Sequence, residues 1–483
     1  MSQTPSKTNT PLVVDLDGTL TLTDTLVESL IHLIKQSPLN LLRAPLWLLK
    51  GRAGFKAIIA EKTCLAAGSL PYREPLVAYL RAEKAQGRRI ILATAAHATI
   101  ADAVARQLGL FDQVLATTPG HNLKGRAKLK AIQENAGSSF VYAGDTQADL
   151  PIWQAAKAAI LVGVPPALAA TVREKTPIER EFPNEKATLT DWLRALRVHQ
   201  WIKNLLLFVP LLTAFSFMEI NKLFSMGLAF LAFSLAASAT YIVNDLWDLD
   251  SDRLHPRKRL RPFASARLSV LHGLAVAGAS LASAFLLAYC VSISFCLMLL
   301  AYLALTSAYS WTLKKYVLID AIMLSLLYTL RILAGAVAIG VATSSWLLAF
   351  SVFIFLSLAL VKRCAELVSL EKSGLDKAHG RDYRVTDLTV LWPLGVGTAL
   401  SAVVVFGLFI SSPETQTRYA TPQLLWLVAI GLVYWLGRLW IKTSRGEMHD
   451  DPVVYAIKDD GSRITVAIML FVMLMAHFFA LGS

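Results

Sequence analysis

Polar and apolar positions follow two different rules along this chain. Residues 1–190 mix them at the short periods of a water-exposed fold, whereas from about 190 onward long apolar runs follow one another with short polar connections. In the first part, β-type runs at 11–14, 89–94, 113–117, 140–143 and 159–162 alternate with helical patterns such as 98–108 and 127–136. That alternation predicts a parallel, doubly wound α/β sheet in a domain of residues 1–170. Residues 24–72 read as a small helical cap inserted after the first strand. Charge together with Pro177 and Pro183, without a sustained apolar period, marks 171–190 as a linker. Residues 191–483 open with an amphipathic stretch at 192–204. Apolar runs at 203–220, 222–243, 269–290, 292–311, 317–339, 346–361, 389–411, 423–441 and 463–481 then predict an all-α bundle of nine transmembrane helices.

Composition narrows the class. A hydrophobic share of 55% excludes a wholly soluble chain. The net charge of +13 is concentrated in alternate loops, at 253–267, Lys314-Lys315, 362–384 and 442–463, while the opposite connections hold little beyond Glu219, Lys222, Glu414 and Arg418. The positive-inside rule then predicts a multi-pass protein of the cytoplasmic membrane with its soluble domain in the cytoplasm. The same distribution favours anionic lipid and phosphorylated substrates over nucleic acid as partners. The polar beginning MSQTPSKTNT shows no secretory or targeting pattern. Cys64, Cys290, Cys296 and Cys364 have neither metal nor disulfide spacing. Nothing in the pattern argues against a homo-oligomer.

Candidate chemistry in the first domain lies at strand ends, where open α/β sheets place their sites. Asp15 and Asp17 follow the first strand, Thr94 closes the second, Lys128 stands near a helix start with Lys124 as a second lysine candidate, and Asp145 and Asp149 follow a later strand. This set, in this order, resembles the haloacid dehalogenase-type phosphatases, and it covers the whole domain. The resemblance implies Asp15 as the nucleophile, Asp17 as the acid/base, Thr94 and Lys128 as holders of the phosphoryl oxygens, and one Mg²⁺ held by Asp15, Asp17, Asp145 and Asp149. A carboxylate accepts a phosphoryl group only where a metal and a cation offset the crowded negative charge.

In the membrane half the decisive stretch is Asn244-Asp245-Leu246-Trp247-Asp248-Leu249-Asp250-Ser251-Asp252, at the end of the second apolar run. At about 100° per residue, Asn244, Asp248 and Asp252 share one helical column, with Asp245 at its edge and Asp250 on the far side. Clustered carboxylates repel unless a cation sits among them, and hard oxygen donors suit Mg²⁺ bound to a diphosphate. An acidic cluster emerging from an apolar span is costly and usually functional. By the same reasoning Lys203 and Arg331, at the start of and within apolar runs, favour a functional role.

Nine spans with an Asn-Asp-x-x-Asp-x-x-x-Asp motif after the second resemble the UbiA-type intramembrane prenyltransferase superfamily, over about residues 190–483. Members acting on aromatic acceptors usually carry a second Asp-x-x-x-Asp motif. Here Asp320 stands alone, because Leu324 occupies the position four residues on. One acidic cluster among many cations instead resembles the polyprenyl-phosphate phosphoribosyltransferase branch. That resemblance implies 5-phosphoribosyl-1-diphosphate as donor, a polyprenyl phosphate as acceptor, and a second Mg²⁺ on Asn244, Asp245, Asp248 and Asp252. It assigns phosphate binding to Lys203, Lys258, Arg259 and Lys314. Arg197, Gln200, Asn204, Arg253, His255, Arg261, Tyr309, Asp320, Arg331, Lys362 and Arg363 would complete the substrate site. The combined expectation is a transferase whose product keeps a phosphomonoester, fused to a phosphatase that removes it. The alternatives are a transferase with an aromatic acceptor, and a transporter or scaffold carrying a tethered phosphatase.

Overall fold

The computed structural model describes residues 10–480 except 38, 50, 64, 186, 378–379 and 449–450. Cys64 lies outside the described residues. The chain forms two compact units, one of residues 1–196 with 241–277 and one of residues 197–240 with 278–483.

The first unit is built on six strands, β1 (Leu12–Val14), β2 (Ile90–His97), β3 (Gln113–Thr117), β4 (Val141–Gly144), β5 (Ala158–Val162) and β6 (Ile178–Phe182). All pairings are parallel, in the order β3-β2-β1-β4-β5-β6. Every side chain of β1 is buried, as a central strand with helices on both faces requires. The linker expected over 171–190 is corrected here. Its first residues end the helix Pro166–Lys175, and 178–182 form β6. The outer strand is polar because Arg180 and Glu181 face solvent, and that polarity hides the strand pattern. Buried Arg88 fastens it, its guanidinium donating to Glu179 at 2.6 and 3.1 Å and to Glu83 at 2.7 Å.

The cap comprises the helices Thr25–Gln36, Asn40–Leu48 and Gly51–Lys62. Asp24 caps the first by accepting from the Leu26 and Val27 N–H groups. The second leaves Leu46, Leu48 and Leu49 exposed. Segment 241–277 carries the end of the helix Ile220–Trp247, the short helix Leu249–Leu254, a loop, and the start of the helix Val270–Val291. It is tied to the cap by Arg253, whose guanidinium meets Glu28 at 2.6 and 2.9 Å with both side chains buried. Asp250 adds His32 at 3.1 Å and Lys35 at 2.9 Å.

Among the described residues eight helices are long and apolar enough to cross a bilayer, and the chain is a multi-pass membrane protein. They coincide with eight of the nine apolar runs. The run at 203–220 differs, forming a 3₁₀ stretch Val198–Phe208, the short helix Val209–Thr213 and a further turn Ser216–Met218. Pro210 removes one backbone donor from this run. In addition, the Leu207 carbonyl is seated so closely against Gly335 that any β-carbon there would collide with it. Two polar pairs in the second unit show the partnering that a lipid setting favours: Asn204 donates to Ser234 Oγ at 3.1 Å and Trp201 Nε1 to Ser238 Oγ at 3.0 Å.

Candidate active sites

Asp15 emerges where β1 ends. Its carboxylate and those of Asp145 and Asp149 gather with one oxygen of each within 4.8 Å of the others. The helix Arg126–Ala136, entered through Gly125 at φ 58°, brings the Lys128 ammonium to 2.9 Å from Asp15 and 3.7 Å from Asp149. Lys128, rather than Lys124, therefore holds the position beside the nucleophile candidate. Leu16 N–H donates to Asp15 at 2.7 Å, Thr19 Oγ1 to Asp145 at 3.1 Å, and the Tyr142 hydroxyl to Asp149 at 2.7 Å. Gly18, at φ 77°, leaves room for Asp145, which a β-carbon would strike. Burial raises the pKa of Asp15 against the opposing pull of Lys128. Burial, and then the charges of Asp15 and Asp149, push Asp145 up to about 8. Three crowded carboxylates offset by one lysine form a hard-oxygen donor set that fits Mg²⁺.

Two expectations in this site are corrected. Asp17 does not join the carboxylate triad. Its side chain turns to the cap and accepts from Thr25 N–H at 2.8 Å. Burial, with Asp24 nearby, pushes its carboxyl up to about 7, which suits a proton carrier better than a metal ligand. Thr94 is fully buried and its hydroxyl accepts from Ala96 N–H at 3.0 Å, whereas Ala95, Ala96 and His97 line the cavity of about 360 Å³ over the carboxylates. A bulge in β2 between Ala93 and His97 carries the chain past the expected position. His97 was not singled out from the sequence; its place at the end of the strand that holds Thr94 was the available signal.

The acidic motif lies in the same unit. Asp245 and Asp252 are buried, and Arg261 bridges them at 3.2 and 2.5 Å. Asn244 and Asp248 are half-buried beside them in sequence. One Asp252 oxygen is buried without a hydrogen-bond partner among the described residues, with Lys258 Nζ 3.9 Å away. Burial raises the Asp252 pKa against the opposing charge of Arg261. Two buried carboxylates side by side, one with an oxygen that has no hydrogen-bond partner among the described residues, are hard oxygen donors of the kind that fits a divalent cation. Arg253, expected to bind substrate, is instead held by Glu28 and the Ala264 carbonyl. His255 Nδ1 accepts from the Arg257 and Lys258 N–H groups, and His255, Lys258 and Arg259 are exposed.

In the second unit Lys203 and Lys362 converge on Asp451, each at 3.0 Å. Asp451 was missed because it sits in a connection read only for its basic residues. Arg331 is buried and donates to Asn204 Oδ1, the Leu327 carbonyl and the Tyr302 hydroxyl at 3.0, 2.6 and 3.0 Å, over the Tyr302 ring. Asp320 is fully buried, 2.7 Å from Arg363 Nε and accepting from the Tyr383 hydroxyl at 2.5 Å. Arg363 also pairs with Glu366 at 2.6 Å. The substrate roles expected of Asp320 and Arg363 give way to this enclosed ion pair, because neither side chain reaches open space. Arg197, at φ 49°, and Gln200 stand at the start of the 3₁₀ stretch, Tyr309 near the end of the helix Ile293–Trp311, and Lys314 in the following turn, all half-buried.

Residues 205–458 match the UbiA prenyltransferase family, and residues 12–154 match the haloacid dehalogenase-like hydrolases. The protein y4nM of Sinorhizobium fredii is 40% identical over 473 residues, covering 96% of this chain and 91% of that one. Nodulation protein NoeC of Azorhizobium caulinodans is 34% identical over 281 residues, 58% of this chain and 91% of NoeC. Decaprenyl-phosphate phosphoribosyltransferase of Mycobacterium tuberculosis is 33% identical over 226 residues, 45% of this chain and 72% of that enzyme.

Proposed function

Because this chain belongs to the UbiA prenyltransferase family and carries an N-terminal haloacid dehalogenase-like hydrolase domain, we propose that it transfers phosphoribose from 5-phosphoribosyl-1-diphosphate to a polyprenyl phosphate and then hydrolyses the 5-phosphate of the product. The observation that carries the acceptor assignment is the enclosure of Asp320. Where an aromatic-acceptor enzyme would need a second carboxylate pair, Asp320 forms an ion pair with Arg363 and accepts a hydrogen bond from the Tyr383 hydroxyl. Lys203 and Lys362, converging on Asp451, gather two cations of the kind that binds phosphate. The similarity to enzymes named decaprenyl-phosphate phosphoribosyltransferase supports the same reading.

In the transfer, Asn244, Asp245, Asp248 and Asp252 would hold Mg²⁺, which when bound neutralises a leaving diphosphate. An oxygen of the lipid phosphate forms a bond to the anomeric carbon of the ribose as the bond to diphosphate breaks. Fixed cations stabilise the charge that develops. In the hydrolysis, Asp15, Asp145 and Asp149 would hold a second Mg²⁺, whose charge offsets that of the phosphoryl group. Asp15 attacks phosphorus, the P–O bond to the ribose breaks, and Asp17 gives its proton to the leaving oxygen. Water then cleaves the aspartyl-phosphate, returning its proton to Asp17 and releasing inorganic phosphate. Lys128 stabilises the transferred oxygens. We place these steps at the cytoplasmic side of the inner membrane.

The Asp15→Asn variant, given labelled phosphoribosyl diphosphate and polyprenyl phosphate, should accumulate a labelled lipid that keeps its 5-phosphate. A dephosphorylated lipid from that variant would separate the hydrolase from this pathway, and a prenylated aromatic acid as the only product would refute the transfer.

A further inference from the structure

We propose that the hydrolase cavity is a composite site for a phosphosugar carried on a lipid, in which residues 253–271 form the wall that selects the lipid. This rests on the hydrolase reading above and adds to it the wall, a sugar-binding histidine and the apolar part of the substrate. The cavity of about 360 Å³ contains the carboxylate triad and Lys128, the chemistry for one phosphomonoester. It is also lined by His97, which is only 7% exposed. His97 Nδ1 is engaged by Thr99, through its hydroxyl at 3.1 Å and its N–H at 3.4 Å, and Nε2 has no hydrogen-bond partner among the described residues. A buried ring nitrogen without a partner is costly, and a hydroxyl of the substrate, which donates or accepts, would satisfy it in either tautomer. Phosphate and sugar therefore have their own groups in the cavity.

Part of the lining is apolar surface that a small soluble ester would leave uncovered. Phe263, Leu268 and Leu271 come from the segment that follows the acidic motif and from the first turn of the helix Val270–Val291. The buried Arg253–Glu28 pair fixes this segment to the cap. Leu271 is 56% exposed and Leu274, three residues on and so on the same helical face, is 45% exposed. The apolar lining thus continues along a helix apolar enough to cross a bilayer. A headgroup of phosphosugar size suits the cavity, and a prenyl chain leaving it would lie along Leu271 and Leu274.

The test uses the full chain in lipid nanodiscs, with farnesyl-phosphoryl-ribose 5-phosphate and ribose 5-phosphate as probes. The readout is the ratio of their kcat/KM values within one preparation, which does not depend on the fraction folded. Leu271→Glu should lower that ratio about tenfold, through KM, as expected when roughly two buried methylene contacts are lost. Leu271→Met should restore it. His97→Ala should slow both probes relative to phenyl phosphate, which has no sugar hydroxyl. An unchanged ratio in Leu271→Glu, or equal use of both probes by the unsubstituted chain, overturns the wall even where Asp15→Asn abolishes hydrolysis. Failure of the unsubstituted chain to hydrolyse either probe overturns the hydrolase reading and the wall together.

Discussion

Arg253 and Glu28 show how a single pair sets the behaviour of a segment. Both side chains are buried, so removing one charge strands the other. Glu28→Gln should destabilise the first unit by about 3 kcal/mol, whereas the paired change Glu28→Met with Arg253→Met should recover most of that loss. Thermal unfolding of the three proteins compares them, and equal losses in the single and double variants would contradict the burial argument. Asp451 makes a pH-dependent case. Burial alone would raise its pKa, but Lys362 and Lys203 outweigh that and hold it at about 2. A carboxylate held below its unfolded value near 3.9 stabilises the fold above that pH, and the gain is lost as pH falls toward 2. The stability gap between the unsubstituted chain and Asp451→Asn should therefore be about 2 kcal/mol at neutral pH and shrink below pH 4. A gap that does not change between pH 7 and pH 3 would refute it. At this scale the sequence made Asp15, Lys128, Asp145 and Asp149 legible because strand ends and their order announce them. Asp451 and the fate of Arg253 were not legible, since each depends on a partner far away in the chain.

Elements were readable where burial imposes a period. The first five strands and the eight long helices follow from apolar runs, because each must cover apolar surface. β6 escaped because the exposed Arg180 and Glu181 give it the look of a connection. The run at 203–220 is apolar enough for a span, yet its shape is set by Pro210 and by contact with Gly335 rather than by its own composition. Gly335→Ala should consequently cost about 1–3 kcal/mol in thermal unfolding, from overpacking against the Leu207 carbonyl. Gly227→Ala, where a β-carbon meets nothing within 4 Å, should be neutral or slightly stabilising in the helix Ile220–Trp247. Equal losses at the two positions would show that helix propensity, not that close approach, decides the outcome.

For the molecule as a whole, the proposed reading joins two chemistries in one chain and would give the transfer a direction. The phosphoribosylated lipid of the proposed transfer would keep one phosphomonoester, which the hydrolase domain would remove. On that reading both steps would use a divalent cation beside carboxylates, in the triad around Asp15 and in the motif from Asn244 to Asp252. The most direct test of the account is transfer itself. Membranes containing the chain are incubated with ribose-labelled phosphoribosyl diphosphate and a polyprenyl phosphate, with and without a chelator, beside the Asp245→Asn variant. The account predicts label in the lipid fraction that depends on magnesium and is lost in the variant. Label that stays in the water phase, or that enters lipid equally well in Asp245→Asn, would contradict it.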